Sequence, residues 1–319
     1  MLSSDYKDPH YAGVLFNPNF ALTLIKIYYK NMWLFYSLAC AFSDALANLF
    51  NKQLVTKKQD PVSLSYFIHG IGALSFLLLA ILQSKKIFDV SPTLLFWIII
   101  TALSAAAAGV IILVALKKGD LSLLSPIQTV TPLMVLVISI FFLAESPGPI
   151  GLAGIALIVV GGIYLDKDPN EKISTIMKRI VTYRPALLAV LAAALYALAA
   201  VFDKGGLQLT STGLWALYIY SFIFIFLTPV IIIRKAKGLK NLKKNKSLLA
   251  ASTVFSVGAV YLQLLAIQTK YVSYVLSIKR LSSLIAVLLA HYVLKEKRAL
   301  FRLRGAFIMV IGAILIGLS

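Results

Sequence analysis

The sequence predicts an all-α membrane protein of ten transmembrane helices arranged as two inverted five-helix repeats. Three observations carry that expectation. The 319 residues are 60% hydrophobic and only 13% charged, with a mean hydropathy of +0.89, well above the apolar share of ~45–50% in soluble domains. Apolar stretches near the ~20 residues that a helix needs to cross a bilayer recur ten times. The second half of the chain also repeats the first.

The ten stretches are 33–51, 62–83, 92–116, 121–143, 149–165, 185–203, 212–233, 248–268, 271–294 and 303–318. They are continuously apolar rather than alternating with period two, so they read as helices and not as strands of a barrel. Cys40 is the single cysteine, which excludes an intramolecular disulfide.

The net charge of +19 is mostly topological. Of the 31 Lys and Arg, 22 fall in the odd-numbered connections and seven in the N-terminal segment and even-numbered connections. The positive-inside rule then puts the odd connections in the cytosol. Attraction to anionic lipid headgroups is the secondary consequence, and nucleic acid is not the expected partner.

Residues 1–32 form an N-terminal extension without a signal-peptide pattern, since Asp5 and Asp8 occupy the would-be basic region. Phe20, Leu24 and Ile27, with Lys26 and Lys30, suit an interfacial helix; the alternative is an eleventh crossing. Ten crossings place both ends outside, whereas an eleventh returns the N-terminus to the cytosol.

Three spans carry polar groups that an apolar environment penalises. Lys279 and Arg280 interrupt 271–294, at a cost starting near ~2.5–3.5 kcal/mol for each at the bilayer centre. They are interior groups with partners, or both stems snorkel to the nearer interface. Asp44, with Asn48 four residues on and on the same face, lies mid-way along the first span. A carboxylate there is either a substrate or proton site, or the structural partner of the basic pair. In the fourth span Pro126 and Pro132 flank Ile127–Thr131, predicting a local helix break that either lines a cavity or only improves packing. His69 reads as a satisfied core histidine; no second His or Cys stands at ligand spacing, so no metal or other cofactor is expected.

The repeat has an offset of 151. It aligns Glu145 with Glu296, Ile127 with Ile278, Gly154 with Gly305 and Gly161 with Gly312; at 152, Phe50-Asn51-Lys52 meets Phe202-Asp203-Lys204. Two five-helix repeats follow, 33–165 and 185–319, joined by the polar connection 166–184. An odd number of crossings in each half inverts the second relative to the first. Lys279 then corresponds to Gln128, Arg280 to Thr129 and Asp44 to Tyr196. Inverted-repeat carriers hold substrate at the midplane between halves, which makes these six, with Asn48, candidate substrate-binding residues, Asp44 being also the proton-coupling candidate. Trp215, Tyr218 and Tyr220 supply either aromatic walls or an interfacial belt.

The paired segments FFLAESPGPIGLAGIALIVVGGIYL and HYVLKEKRALFRLRGAFIMVIGAILIGL, with SPIQTVTP, resemble the EamA-type members of the drug/metabolite transporter superfamily over roughly residues 33–319. Separately, SIKRLSSLIAVLL is similar to the Lys-Arg pair in the ninth helix of the sugar-phosphate translocators. That likeness implies that Lys279 and Arg280 hold a phosphate or carboxylate, and it does not extend to Lys204 at the end of the sixth span. The resemblance implies a secondary transporter rather than an enzyme, exporting a small anionic or zwitterionic metabolite, such as an amino acid or a phosphorylated compound, by alternating access in a prokaryotic-type plasma (inner) membrane. A flippase for lipids or lipid-linked sugars is the alternative of the same fold. No nucleotide loop or Ser/His/Asp arrangement argues for an enzyme.

Overall fold

The computed structural model describes residues 18–57, 59–83, 87–119, 121, 124, 127–166, 182–234, 237–242, 245–294 and 303–319. Expectations resting on residues 1–17, Pro126, most of the 166–184 connection and Glu296 lie outside that set. Among the described residues the secondary structure is helical.

In chain order the helices are α1 (Pro18–Thr56), α2 (Pro61–Leu82), α3 (Pro92–Lys118), α4 (Thr131–Leu143), α5 (Pro149–Asp166), α6 (Arg184–Leu207), α7 (Thr212–Ile233), the short α8 (Lys237–Leu242), α9 (Lys246–Thr269), α10 (Val272–Lys279), α11 (Leu281–Leu294) and α12 (Leu303–Leu318). Local chemistry sets the starts. Asp60 accepts from the Ser63 amide at 2.9 Å and Ser91 from the Leu94 amide at 3.2 Å, each followed by a proline whose missing N–H is harmless at the first helical position. Among the described residues six helices are long and apolar enough to cross a membrane; the apolar segments Gln128–Leu143, Pro149–Leu165 and Gly305–Leu318 are shorter.

Two elements differ from expectation. Residues 18–32 are not a separate interfacial helix, because α1 runs unbroken for 39 residues, which at 1.5 Å each is about 58 Å and longer than the hydrocarbon core is thick. The ninth span is not one helix either. It breaks at Arg280, where α10 ends and α11 begins. The fourth span breaks at the equivalent place, with a 3₁₀ turn over Gln128–Val130 before α4. There Pro132 lacks a donor, and the Thr131 hydroxyl takes the Gln128 carbonyl at 2.6 Å. The ninth span has no proline at the break; the Ser283 hydroxyl donates to the Arg280 carbonyl at 2.6 Å instead.

The helices pack as a two-fold arrangement. The most extensive contacts are α5 with α12, α1 with α9, α3 with α6 and α2 with α7. Exchanging each helix for its repeat counterpart turns the α1–α9 pair into α6–α3 and leaves α2–α7 and α5–α12 unchanged. The α5–α12 seam rests on glycine. A Cβ on Gly154 would stand 2.7 Å from the Gly312 carbonyl oxygen, and one on Gly161 2.7 Å from that of Gly305. As position rises by seven on α5 it falls by seven on α12, so these two counterpart helices run antiparallel. Only glycine lets the backbones approach so closely.

Candidate functional site

A cavity of about 170 Å³ lies where the two halves meet. The broken spans bring two cations to it. Lys279, the last residue of α10, donates to Gln263 Oε1 on α9 at 2.8 Å and pairs with Asp44 Oδ1 on α1 at 3.5 Å. Asn48, one turn along α1, donates to Asp44 Oδ2 at 3.2 Å, the contact that the i, i+4 spacing predicts. Arg280 is 6% exposed and points Nη1 at Gln128, 3.2 Å from Oε1 and 3.4 Å from the carbonyl. Its Nε is buried with no partner. Neither cation snorkels: both are turned inward onto polar partners.

The Lys279–Asp44 attraction at 3.5 Å is about 5 kcal/mol gross at an effective dielectric near 20, much of it offset by desolvation. Both side chains keep partial exposure, 12% and 21%, so their free valences face the cavity.

Tyr196 on α6 also lines the cavity, so Asp44, Asn48, Gln128, Tyr196, Lys279 and Arg280 are brought together. Three predicted site residues are not. Thr129 is fully buried against Gly162 of α5; it follows Gln128 in the 3₁₀ turn and is not part of the cavity lining. Trp215 packs over Gly206 and donates its indole N–H to Asp203 Oδ1 at 2.8 Å, outside the lining itself. The Tyr218 hydroxyl donates to the Ile87 carbonyl at 2.9 Å on the far side of α7. The reason is geometric: hydropathy fixes depth, but each residue turns the helix by ~100°.

The sequence reasoning missed Gln263, Asn51, Thr101 and Asp203, which all line the cavity. The signal for Gln263 was its spacing of seven from Ser256, which puts these two polar positions of α9 on one face. His69 sits in the cavity wall, its Nδ1–H donating to the Ser65 carbonyl at 2.7 Å and its ring 5.1 Å from that of Tyr220, as a satisfied core histidine does. No cluster of three or more His, Cys, Asp or Glu at metal-binding distance occurs among the described residues.

Lys204 has a structural role. Its ammonium donates to Glu145 Oε1 at 2.9 Å and to the Lys270 carbonyl at the end of α9 at 2.8 Å. Its repeat counterpart Lys52 takes the Leu116 and Gly119 carbonyls at the end of α3, at 2.9 and 2.6 Å. Each lysine thus neutralises the negative end of the equivalent helix. Glu145 also accepts the Val272 amide at the start of α10, at 3.0 and 3.1 Å.

Fold and site together define a multi-pass integral membrane protein, built from two repeats around a polar centre. Residues 31–165 and 184–318 each match the model of the EamA-like transporter family, and the chain belongs to that family of small-molecule transporters. An uncharacterized protein of Methanocaldococcus jannaschii is 28% identical over 100 residues, 31% of this chain and 73% of that protein. A solved crystal structure superposes with a TM-score of 0.65 at 14% identity, covering 90% of this chain and 95% of that one, a likeness of fold.

Proposed function

We propose that this protein is a secondary transporter of a small organic anion or zwitterion, with ten crossings as two inverted halves that rock about the central cavity. The observation that carries the reading is the Lys279–Asp44 pair at the cavity wall, with Arg280 beside it holding an unpartnered buried N–H. A substrate carboxylate or phosphate takes Lys279 from Asp44 and gives the Arg280 N–H an acceptor. The antiparallel packing of counterpart helices α5 and α12 supports inversion, because a two-fold that reverses helix direction exchanges the two membrane faces. That symmetry supports rocking about the fixed site. The expected location is a prokaryotic-type plasma membrane.

Flux through proteoliposomes tests this reading. Replacing Lys279 by Gln removes a charge-assisted contact of about 1.5–3 kcal/mol, so affinity falls by about tenfold to a hundredfold. Unchanged uptake of every accepted anion in both Lys279→Gln and Arg280→Gln would exclude the site.

One observation favours the lipid-carrying alternative. A groove of about 790 Å³, almost wholly apolar, lies beside α2 and α7 and suits an acyl chain. Its lining shares no residue with the polar cavity, and Phe224 and Tyr220 are wedged against Gly70 and Gly72 between the two. A headgroup at Lys279 therefore has no open path to a chain in the groove, which ranks this reading second. Co-purification of a headgroup-bearing lipid with the wild type but not with Lys279→Gln would reverse that order.

A further inference from the structure

Asp203 is a second carboxylate on the central cavity, and the arrangement described so far gives it no task. It is buried near the end of α6, and the hydrogen bond made to it comes from a neutral donor, the Trp215 indole at 2.8 Å. No ion pair involves it among the described residues. An ionised carboxylate in a desolvated site normally takes two or three donors or a cation.

The repeat supplies a reference for what this place tolerates. Asp203 lies 152 residues after Asn51, and Ser252 lies 151 after Thr101. Across the two halves the Ser252 hydroxyl on α9 donates to Asn51 Oδ1 on α1 at 2.6 Å. The equivalent hydroxyl facing α6 is that of Thr101 on α3, which is 1% exposed and has no partner. A neutral amide therefore fills the counterpart position, with its hydroxyl engaged. At Asp203 the matching hydroxyl stands idle beside the same cavity. A helical threonine has two accessible χ1 wells, so the Thr101 hydroxyl can turn to a new acceptor on the cavity wall.

We propose that Asp203 is the proton-binding site of this transporter, and that its protonation is linked to anion binding in the cavity. This rests on the anion-carrier reading given above. The formal charges on the cavity wall are Asp44, Asp203, Lys279 and Arg280. They cancel when Asp203 is ionised, and one positive charge remains when it carries a proton. Proton and anion thus favour each other's binding, and by reciprocity each raises the other's affinity equally. Such a carrier moves both in the same direction. In a cell whose proton gradient points inward the anion is taken up, in place of the export that the family resemblance implies.

The other titratable or charged groups around Asp203 are few. Tyr220 faces it from α7, Lys279 from α10, and Tyr196 and Lys204 lie on α6 itself, the latter tied to Glu145; Arg280, Asp44 and His69 stand further around the cavity. From α3 comes Thr101, with Trp97 packed on the neighbouring Phe202 and Gly205, and from α9 Gln263, none of which titrates. A sodium ion fits poorly, since the Trp215 N–H points at the carboxylate and α6 is an unbroken helix with no freed carbonyls to add as ligands.

The purified full-length protein tests this by tryptophan fluorescence titrated from mildly acidic to mildly alkaline pH. A transition is expected that disappears in Trp215→Phe, which assigns it to the indole, and in Asp203→Asn. Asp203→Ser serves the same purpose if the amide variant does not fold. The absence of a transition, its persistence without Asp203, or a midpoint that moves with sodium concentration would overturn the proposal. Binding of methanesulfonate, a monoanion of constant charge over this range, is then followed by thermal shift. It should be on the order of tenfold tighter at acid pH in the wild type and independent of pH in Asp203→Asn. A Trp215 transition lost with Asp203 but no methanesulfonate binding in any variant would uphold the proton site while sinking the anion-carrier reading.

Discussion

Arg280 Nη1 stands 3.2 Å from Gln128 Oε1 and 3.4 Å from the Gln128 carbonyl, so the residue at which the ninth span breaks holds the turn at which the fourth span breaks. The two interruptions, equivalent in the repeat, are thereby cross-linked at the centre of the molecule. Both contacts come from Nη1, and a lysine, with its shorter stem and no planar fork, does not place its ammonium at that point. Arg280→Lys should therefore lower stability by about 1–2 kcal/mol, read as a fall in the melting temperature of the detergent-purified protein. A melting curve identical to the wild type would mean that the breaks do not depend on this contact.

Glu145 and Lys204 are tied at 2.9 Å, with side-chain exposures of 3% and 17%, and join the end of α4 to α6 and α10. Removing one charge strands the other in a largely desolvated place. Glu145→Gln should cost about 3 kcal/mol, at the low end for buried pairs because Lys204 keeps some water. The double change Glu145→Gln with Lys204→Met should be less destabilising than the sum of the two single changes, as a double-mutant cycle on melting would report. Strict additivity would show that the pair is not coupled.

The glycine seam between α5 and α12 makes a steric prediction. With the Gly305 carbonyl oxygen 2.7 Å from a Cβ at Gly161, even a small side chain forces backbone apart from backbone. Gly161→Val should destabilise by about 1–3 kcal/mol or more, whereas Gly148→Ala, whose Cβ meets nothing within 4 Å, should change the melting temperature little. Equal effects at both positions would argue against the close antiparallel approach.

Much of this arrangement was legible in the sequence because hydropathy and repetition are periodic signals. The boundaries of α7, 212–233, fell where the apolar run did, and the 151-residue offset found the two family repeats and the equivalent glycines. The Asp44–Asn48 contact followed from helical spacing alone. What the sequence hid was rotation and partnership. Thr129 and Gln128 are neighbours at one depth, yet one packs against Gly162 and the other meets Arg280. Asp203 was visible in the repeat alignment as the counterpart of Asn51, but its position near a span end reads as interfacial until Trp215 is seen covering it. The break at Arg280 has no proline to announce it; serine hydroxyls competing for carbonyls, as Ser283 does, leave a weaker trace.

The central claim is that Lys279 holds the anionic group of the transported molecule. A thermal-shift screen of the purified protein against small organic anions and their neutral analogues, run in parallel on Lys279→Gln, tests it most directly. The account predicts that at least one carboxylate or phosphate raises the melting temperature of the wild type, that its neutral analogue does not, and that the effect is lost in Lys279→Gln. An anion that stabilises both proteins equally, or stabilisation by the neutral analogues alone, would contradict it.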